Sequence, residues 1–288
     1  MPDVTLAGVV DTNQDRAGQV AAAHGTQAYR DFREVPGTPD VAVVAVPTES
    51  HASVALPLLA AGVHVLVEKP VAQTVAEAND LIEAAAARGL VLAVGHSERF
   101  NPAVAAARPF VADPRFIEVH RLGTFPDRSL DIDVVLDLMI HDLDLILSLV
   151  PSTVDGVEAV GVPVLTPRVD IANARIRFAN GCIANLTASR ISREPVRKIR
   201  FFQRDSYVSI DTASRDVEMF KLTPQAAGLP SIGGGRLEVS GNEPLRSELE
   251  DFLAAVREGR PPQVTGEQGR SALALASRIV DLMEQHGH

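Results

Sequence analysis

Tryptophan is missing from this chain, tyrosine occurs twice and cysteine once. A lone cysteine cannot close an internal disulfide, and Cys182 falls in a hairpin pattern where a buried structural role is expected. Long hydrophobic runs are also missing. Stretches such as Val41 to Val46 and Val63 to Val67 stop far short of the roughly 18 residues that would span a bilayer, so no membrane segment is expected. The first residues show no basic stretch followed by an apolar core and a small-residue cleavage site, so export is not expected and the cytoplasm is. Positive charge is scarce as well, with 27 Lys and Arg against 37 Asp and Glu and a net charge of -10. That balance disfavours nucleic acid, which wants clustered cations to replace phosphate counterions. A small-molecule substrate is the default.

What is present is a long apolar chain, 288 residues with 46% hydrophobic content, enough for two domains rather than one. From Val4 to Val94 short β-branched runs alternate with longer amphipathic stretches, the pattern of a parallel sheet covered by helices. Strands are expected at Val4 to Val10, Val41 to Val46, Val63 to Val67 and Leu90 to Val94. Helices are expected at His51 to Ala61 and Thr74 to Arg88, with Gly62 and Gly89 as stops. After Asn101 the pattern changes, which divides the chain into a unit at 1–101 and a second at 102–288. There the sequence predicts one helix from about Asp133 to Leu149 and strands near 154–162, 169–178, 182–190, 197–203 and 206–211. Strands in succession make a mostly antiparallel sheet, and Asn180-Gly181 predicts a two-residue turn with positive φ at both positions. Two helices close the chain, Leu245 to Glu258 and Glu267 to Gln285. Gly233-Gly234-Gly235 reads as a plain loop.

Three groups of residues carry candidate chemistry. Asp11 ends the first strand, where an acid can accept hydrogen bonds from the hydroxyls of an adenosine ribose or can cap the following helix. Glu68-Lys69-Pro70 ends a strand buried on both faces, at the sheet edge where open α/β sheets bind ligands. Lys69 there can hold a substrate oxygen and take part in proton transfer, or can be a solvated loop lysine. Asp137 and His141 lie four apart in an apolar helix and share a face. They suit an acid/base pair, a structural carboxylate–histidine pair, or, less well because a third ligand is wanting, a metal site. His96 and Arg99, with Asn101, follow the last parallel strand and are candidates to line the same edge.

Taken in order, Asp11, Pro47-Thr48 with His51, Glu68-Lys69-Pro70, the Gly95 to Pro102 segment and Asp137 to His141 resemble the Gfo/Idh/MocA oxidoreductases, the glucose-fructose oxidoreductase and inositol dehydrogenase group. The resemblance implies an α/β fold in which a Rossmann-type domain precedes an α+β domain whose open sheet serves dimer contact, giving a homodimer or homotetramer. It implies Lys69, Asp137 and His141 as catalytic residues and Asp11, Pro47, Thr48, His51, Glu68 and Lys69 near the dinucleotide; for want of a third ligand, no metal is expected. No Arg or Ser directly follows Asp11 to receive a 2′-phosphate, so NAD is expected over NADP. Gly-His-Ser-Glu-Arg-Phe-Asn-Pro and the later His-Asp-Leu-Asp-Leu-Ile-Leu are most similar to members acting on UDP-linked amino sugars. The expected activity is oxidation of a secondary hydroxyl of a sugar, nucleotide sugar or cyclitol. The pattern departs from the family at its start, because the chain opens at what reads as the family's second strand, without the first strand and glycine turn. In the order 3-2-1-4-5-6 the missing strand is central. Either translation begins further upstream or the chain is a decayed paralogue, for which a catalytically silent binding or assembly role is the alternative expectation. A third is a member that uses tightly held NAD for hydrolysis or epimerisation.

Overall fold

In the computed structural model, residues 1, 3–125, 132–223 and 230–285 are described. The first unit contains β1 (Val9–Val10), α1 (Gln14–His24), β2 (Ala28–Tyr29), β3 (Val41–Val44), α2 (His51–Ala60), β4 (His64–Glu68), α3 (Val75–Ala86) and β5 (Leu92–Gly95). Strands β3, β4 and β5 form a parallel sheet in that order, and β1 and β2 form a separate parallel pair. Val65, Leu66 and Val67 are buried because helices cover both faces of β4, as the unbroken apolar run requires. Local signals set the helix ends. Asn13 caps α1 and Gly25 stops it at φ 67°, while Thr74 and Glu77 close a reciprocal capping box on α3.

The first strand is shorter than expected. Val4 and Leu6 are exposed, and pairing begins at Val9 against Ala28. Strand β2, which the sequence reading lacked, supplies that partner. The two sheets are not bonded to each other, and Val43 on β3 is 51% exposed.

The second unit runs through α4 (Pro102–Ala107), β6 (Phe116–Leu122), a π-helical turn (Val135–Met139), α5 (Ile140–Leu149), β7 (Val154–Val162), β8 (Ile171–Phe178), β9 (Ile183–Ser189), β10 (Val196–Phe202), β11 (Ser206–Asp211), β12 (Asp216–Thr223), β13 (Ser231–Arg236), α6 (Pro244–Glu258) and α7 (Gly266–Gln285). The eight strands make one sheet in the order β13-β12-β11-β10-β6-β9-β8-β7. It is antiparallel except where β6 lies parallel to β9. Residues 117, 119, 172, 174, 176, 184, 186, 199 and 201 point to one face, where they pack with α5 and α7. Helix α6 turns back to the first unit, where Phe252 packs on Leu66 and Ala93.

Three expectations need correction. Gly233, Gly234 and Gly235 form an edge strand paired to Phe220 and its neighbours. Gly234 sits at φ 121°, and a Cβ there would strike the Met219 carbonyl, so glycine allows an approach that other residues forbid. At the β8–β9 turn Gly181 alone takes positive φ. The Asn180 side chain instead accepts from the Cys182 N–H at 3.0 Å, and the Gly181 N–H donates to the Phe178 carbonyl, the pattern of a longer turn ending in a left-handed glycine. Finally, the expected helix over 133–149 begins with five residues of π geometry, a span that includes Asp137.

Candidate active site

Lys69, the residue just beyond β4, joins Pro70 through a cis peptide bond. Its ammonium donates to the Asp137 carbonyl at 2.8 Å and lies 3.6 Å from Asp137 Oδ1. The sequence pairs Asp137 with His141 by spacing, and the structure also sets Asp137 against Lys69. Burial pushes the Lys69 ammonium below its ordinary pKa, and Asp137 and then Glu68 oppose that shift. Glu68 lies alongside, one carboxylate oxygen 3.3 Å from the Lys69 N–H. Gly95 makes room for it, since a Cβ on that residue would lie 2.8 Å from Glu68 Oε2.

His141 opens α5 a turn below. Its Nδ1 is enclosed without a hydrogen-bond partner among the described residues. Burial, then the charges of Lys69 and Arg121, hold its pKa well below the ordinary histidine value, so the ring is neutral near pH 7. His96, at the end of β5, meets it edge to face with ring centroids 6.4 Å apart. His96 is 1% exposed and both of its ring nitrogens are unpartnered. Burial lowers its pKa too, against the attraction of Asp144. Two neutral imidazoles and one desolvated ammonium therefore meet at the carboxyl edge of the parallel sheet.

The other expected residues divide. Asp11 stands at the end of β1 and is held by Arg16 at 2.6 and 3.0 Å and by the Asn13 N–H. The Arg16 hydrogen bond and then the Asn13 N–H keep its carboxyl below the usual range. Pro47 and Thr48 follow β3 at the same edge, Pro47 exposed and Thr48 half-buried. His51 is buried, its ring bridging the carbonyls of Pro70 at 2.8 Å and Val46 at 2.9 Å, which ties the ends of β3 and β4 together. Arg99 is buried in a bidentate pair with Asp144 at 2.6 and 3.1 Å. Among the described residues no three His, Cys, Asp or Glu side chains converge as a metal site would require.

The sequence reading missed the ionic layer beneath. Arg121 makes two bonds to Asp142 at 2.7 and 2.8 Å and a third to Glu98 at 3.1 Å. Burial works against its charge, but Asp142 and Glu98 more than offset it, and its pKa is raised. The signal was in β6, where Arg121 occupies the inward register of Ile117 and Val119. Glu248 of α6 was also missed. It is 4% exposed with Oε1 unpartnered, and burial, then the Glu68 and Glu243 carboxylates, push its pKa up to about 8. A separate cleft of about 410 Å³ between α3, β5 and the α6–α7 turn includes His64. It opens at the opposite end of β4 from Lys69 and holds none of these groups.

Residues 1–96 match a family model described as an oxidoreductase family with an NAD-binding Rossmann fold, and residues 108–204 match the C-terminal domain model of the same group. The chain is 40% identical to a UDP-N-acetylglucosamine 3-dehydrogenase of Acidithiobacillus ferrooxidans, over 95% of this chain and 88% of that protein. It is 25% identical to a myo-inositol 2-dehydrogenase of Thermotoga maritima, over 98% of this chain and 90% of that protein. A solved structure of the Acidithiobacillus enzyme superposes with a TM-score of 0.91, at 39% identity, covering 97% of this chain and 90% of the other.

Proposed function

Because the chain belongs to the Gfo/Idh/MocA family of NAD-binding oxidoreductases, we propose that it oxidises a secondary hydroxyl of a nucleotide-linked amino sugar at the edge formed by Lys69, His96 and His141. The relative acting on UDP-N-acetylglucosamine at 40% identity supports that substrate class over a free cyclitol. The observation that carries the reading is the desolvated Lys69 ammonium held on Asp137 beside a neutral His141.

The donor set fits NAD. Asp11, at the end of β1, suits an adenosine ribose, and the lack of an Arg or Ser directly after it is in keeping with NAD over NADP. Pro47, Thr48 and Glu68 follow along the strand ends, and Lys69 and His96 stand at the far end of the same edge. When bound, nicotinamide supplies a two-electron hydride acceptor. The protein's part is positioning and proton transfer. Lys69 donates a hydrogen bond to the substrate hydroxyl oxygen, which favours developing negative charge there. His141, neutral for lack of a solvating partner, accepts the hydroxyl proton. Asp137 holds the Lys69 ammonium in place, a positioning role. His51 keeps the two strand ends in register, and Arg99 anchors the segment after β5.

The division into a dinucleotide unit at 1–101 and a substrate unit at 102–288 belongs to this reading, with α6 returning to brace the first. So does a homodimer or homotetramer through the uncovered face of the large sheet. Phe116, Phe202, Tyr207 and Phe220 form a cross-strand aromatic row there, with centroids 5.2–6.5 Å apart, and Val160 and Val162 are exposed. The cytoplasm, where nicotinamide dinucleotides are recycled, is the compartment implied; among the described residues no helix is long and apolar enough to cross a membrane. The test is reduced-nicotinamide formation from NAD with UDP-N-acetylglucosamine, free N-acetylglucosamine and myo-inositol. No reduction with any of them, by protein shown to bind NAD, would overturn the reading.

A further inference from the structure

Strand β10 places Arg197 beside Arg121 of β6 in the sheet register. Alternation puts Arg197 on the face that carries Ile199 and Phe201, which are 1% and 0% exposed. At Arg197 that face leaves the core, and the side chain is 52% exposed. The two arginines then differ in what they hold. Arg121 is spent on Asp142 and Glu98, while among the described residues Arg197 reaches only the same Glu98 Oε1, at 4.0 Å. That carboxylate is already held by Arg121 and by Asn101. Arg197 thus keeps most of its donors free, and its charge is close enough to disfavour protonation of His141.

A cation with spare donors beside the reacting group is notable in a chain of net charge -10, whose overall field repels anions. A guanidinium offers a planar fork of N–H donors that matches two oxygens of one phosphoryl group. Resting on the dehydrogenase reading above, we propose that Arg197 is a specificity residue that receives a phosphoryl group of the sugar substrate, so that phosphorylated sugars are selected over neutral ones. The ring to be oxidised would then lie between Arg197 and His141, its phosphate at the mouth and its carbinol against Lys69.

The experiment compares wild type with Arg197→Gln and Arg197→Lys. Calorimetry measures binding of UDP and of N-acetylglucosamine 1-phosphate, and steady-state kinetics use UDP-N-acetylglucosamine, the 1-phosphate and free N-acetylglucosamine. Arg197→Gln should raise Kd and KM for the phosphorylated compounds by about thirtyfold, the scale of one lost charge-assisted contact, while the KM for free N-acetylglucosamine moves by far less. Arg197→Lys should fall between, since it keeps the charge but loses the fork. Loss with the nucleotide sugar and the 1-phosphate alike places the contact on the sugar-proximal phosphate; loss with the nucleotide forms alone places it on the distal one. Phosphorylated ligands that bind wild type and Arg197→Gln equally, or fail to bind wild type, overturn the proposal even where a neutral sugar is oxidised. Binding through Arg197 with no hydroxyl oxidised would leave it standing and overturn the dehydrogenase reading instead.

Discussion

Two buried polar clusters lie within a few residues of each other, built from the same turn after β5 and the same helix α5, and they are finished differently. In the layer of Glu98, Arg99, Arg121, Asp142 and Asp144, each charge meets an opposite one, at 2.6–3.1 Å. Around Lys69, His96 and His141, ring nitrogens are left without partners, and the ammonium stands 3.6 Å from its carboxylate. An unsatisfied buried polar group costs on the order of 1–3 kcal/mol. The same elements that satisfy five charges in one layer leave three ring nitrogens, two on His96 and one on His141, unsatisfied in the other. The paired layer sets the positions of the helices, and the unpaired one uses them.

That contrast predicts opposite failures, and the largest falls on the paired layer. Arg121→Ala strands Asp142 and Glu98 in the interior and should lower unfolding stability by about 3–5 kcal/mol, the scale for breaking a buried ion pair from one side. Urea denaturation measures it. A loss below about 1 kcal/mol would mean that water reaches the layer and that the contrast is false.

Lys69→Met should do the reverse. It removes a group whose burial already disfavours its charge, so the urea midpoint should hold or rise, while turnover falls by at least about a hundredfold, as expected for a positioned proton-transfer group. Turnover within a few-fold of wild type would remove Lys69 from the reaction.

Asp137→Asn probes the link between the clusters' styles. Asp137 raises the Lys69 pKa against burial, so its loss should let the Lys69 value fall further. If the ammonium is the working form, the basic limb of the kcat/KM profile must move to lower pH, with about a tenfold loss at the plateau. A limb that stays in place would show that Asp137 acts elsewhere, for instance on His141. The cycle of Asp137→Ala with His141→Ala decides that alternative, since losses that simply add would mean the two act independently.

How much of this could be read from the sequence follows from range. The parallel strands 41–44, 64–68 and 92–95 and their helices were legible because burial on both faces writes itself as apolar runs, and Lys69 and His96 were legible as residues at strand ends. Asp137 was found by its spacing from His141, but its contact with Lys69 was not. That contact joins residues 68 positions apart, and the π turn at 135–139 that carries Asp137 leaves no mark in the local residues. Strand β6 went unread because its parallel partner β9 lies more than sixty positions away. With it went Arg121 and the inward row that exposes Arg197. Glu248 was invisible for a related reason, because nothing in Arg246-Ser247-Glu248-Leu249 says that α6 folds back against Glu68.

Glu248 gives the smallest and most diagnostic test of the contrast, because it is an acid of the unpaired kind set against the paired Glu98. The carboxylates that face it are Glu68 from β4 and Glu243 at the cap of its own helix, and burial with their repulsion raises its pKa from 4.5 to about 8. With the folded value above the unfolded one, the stabilising proton is fully present below about 4.5 and is lost as pH rises through about 8. Wild-type stability should therefore decline across that window, at no more than about 1.4 kcal/mol per pH unit for one proton. Glu248→Gln keeps the shape without the ionisation, so it should flatten this slope and be the more stable protein at the alkaline end. Glu98→Gln should instead cost stability throughout, because it removes the charge that Arg121 holds at 3.1 Å. Unfolding free energies at pH 5, 6.5 and 8 for the three proteins separate the cases. Parallel pH profiles for wild type and Glu248→Gln would show that Glu248 is solvated and that the unpaired cluster stops at His96.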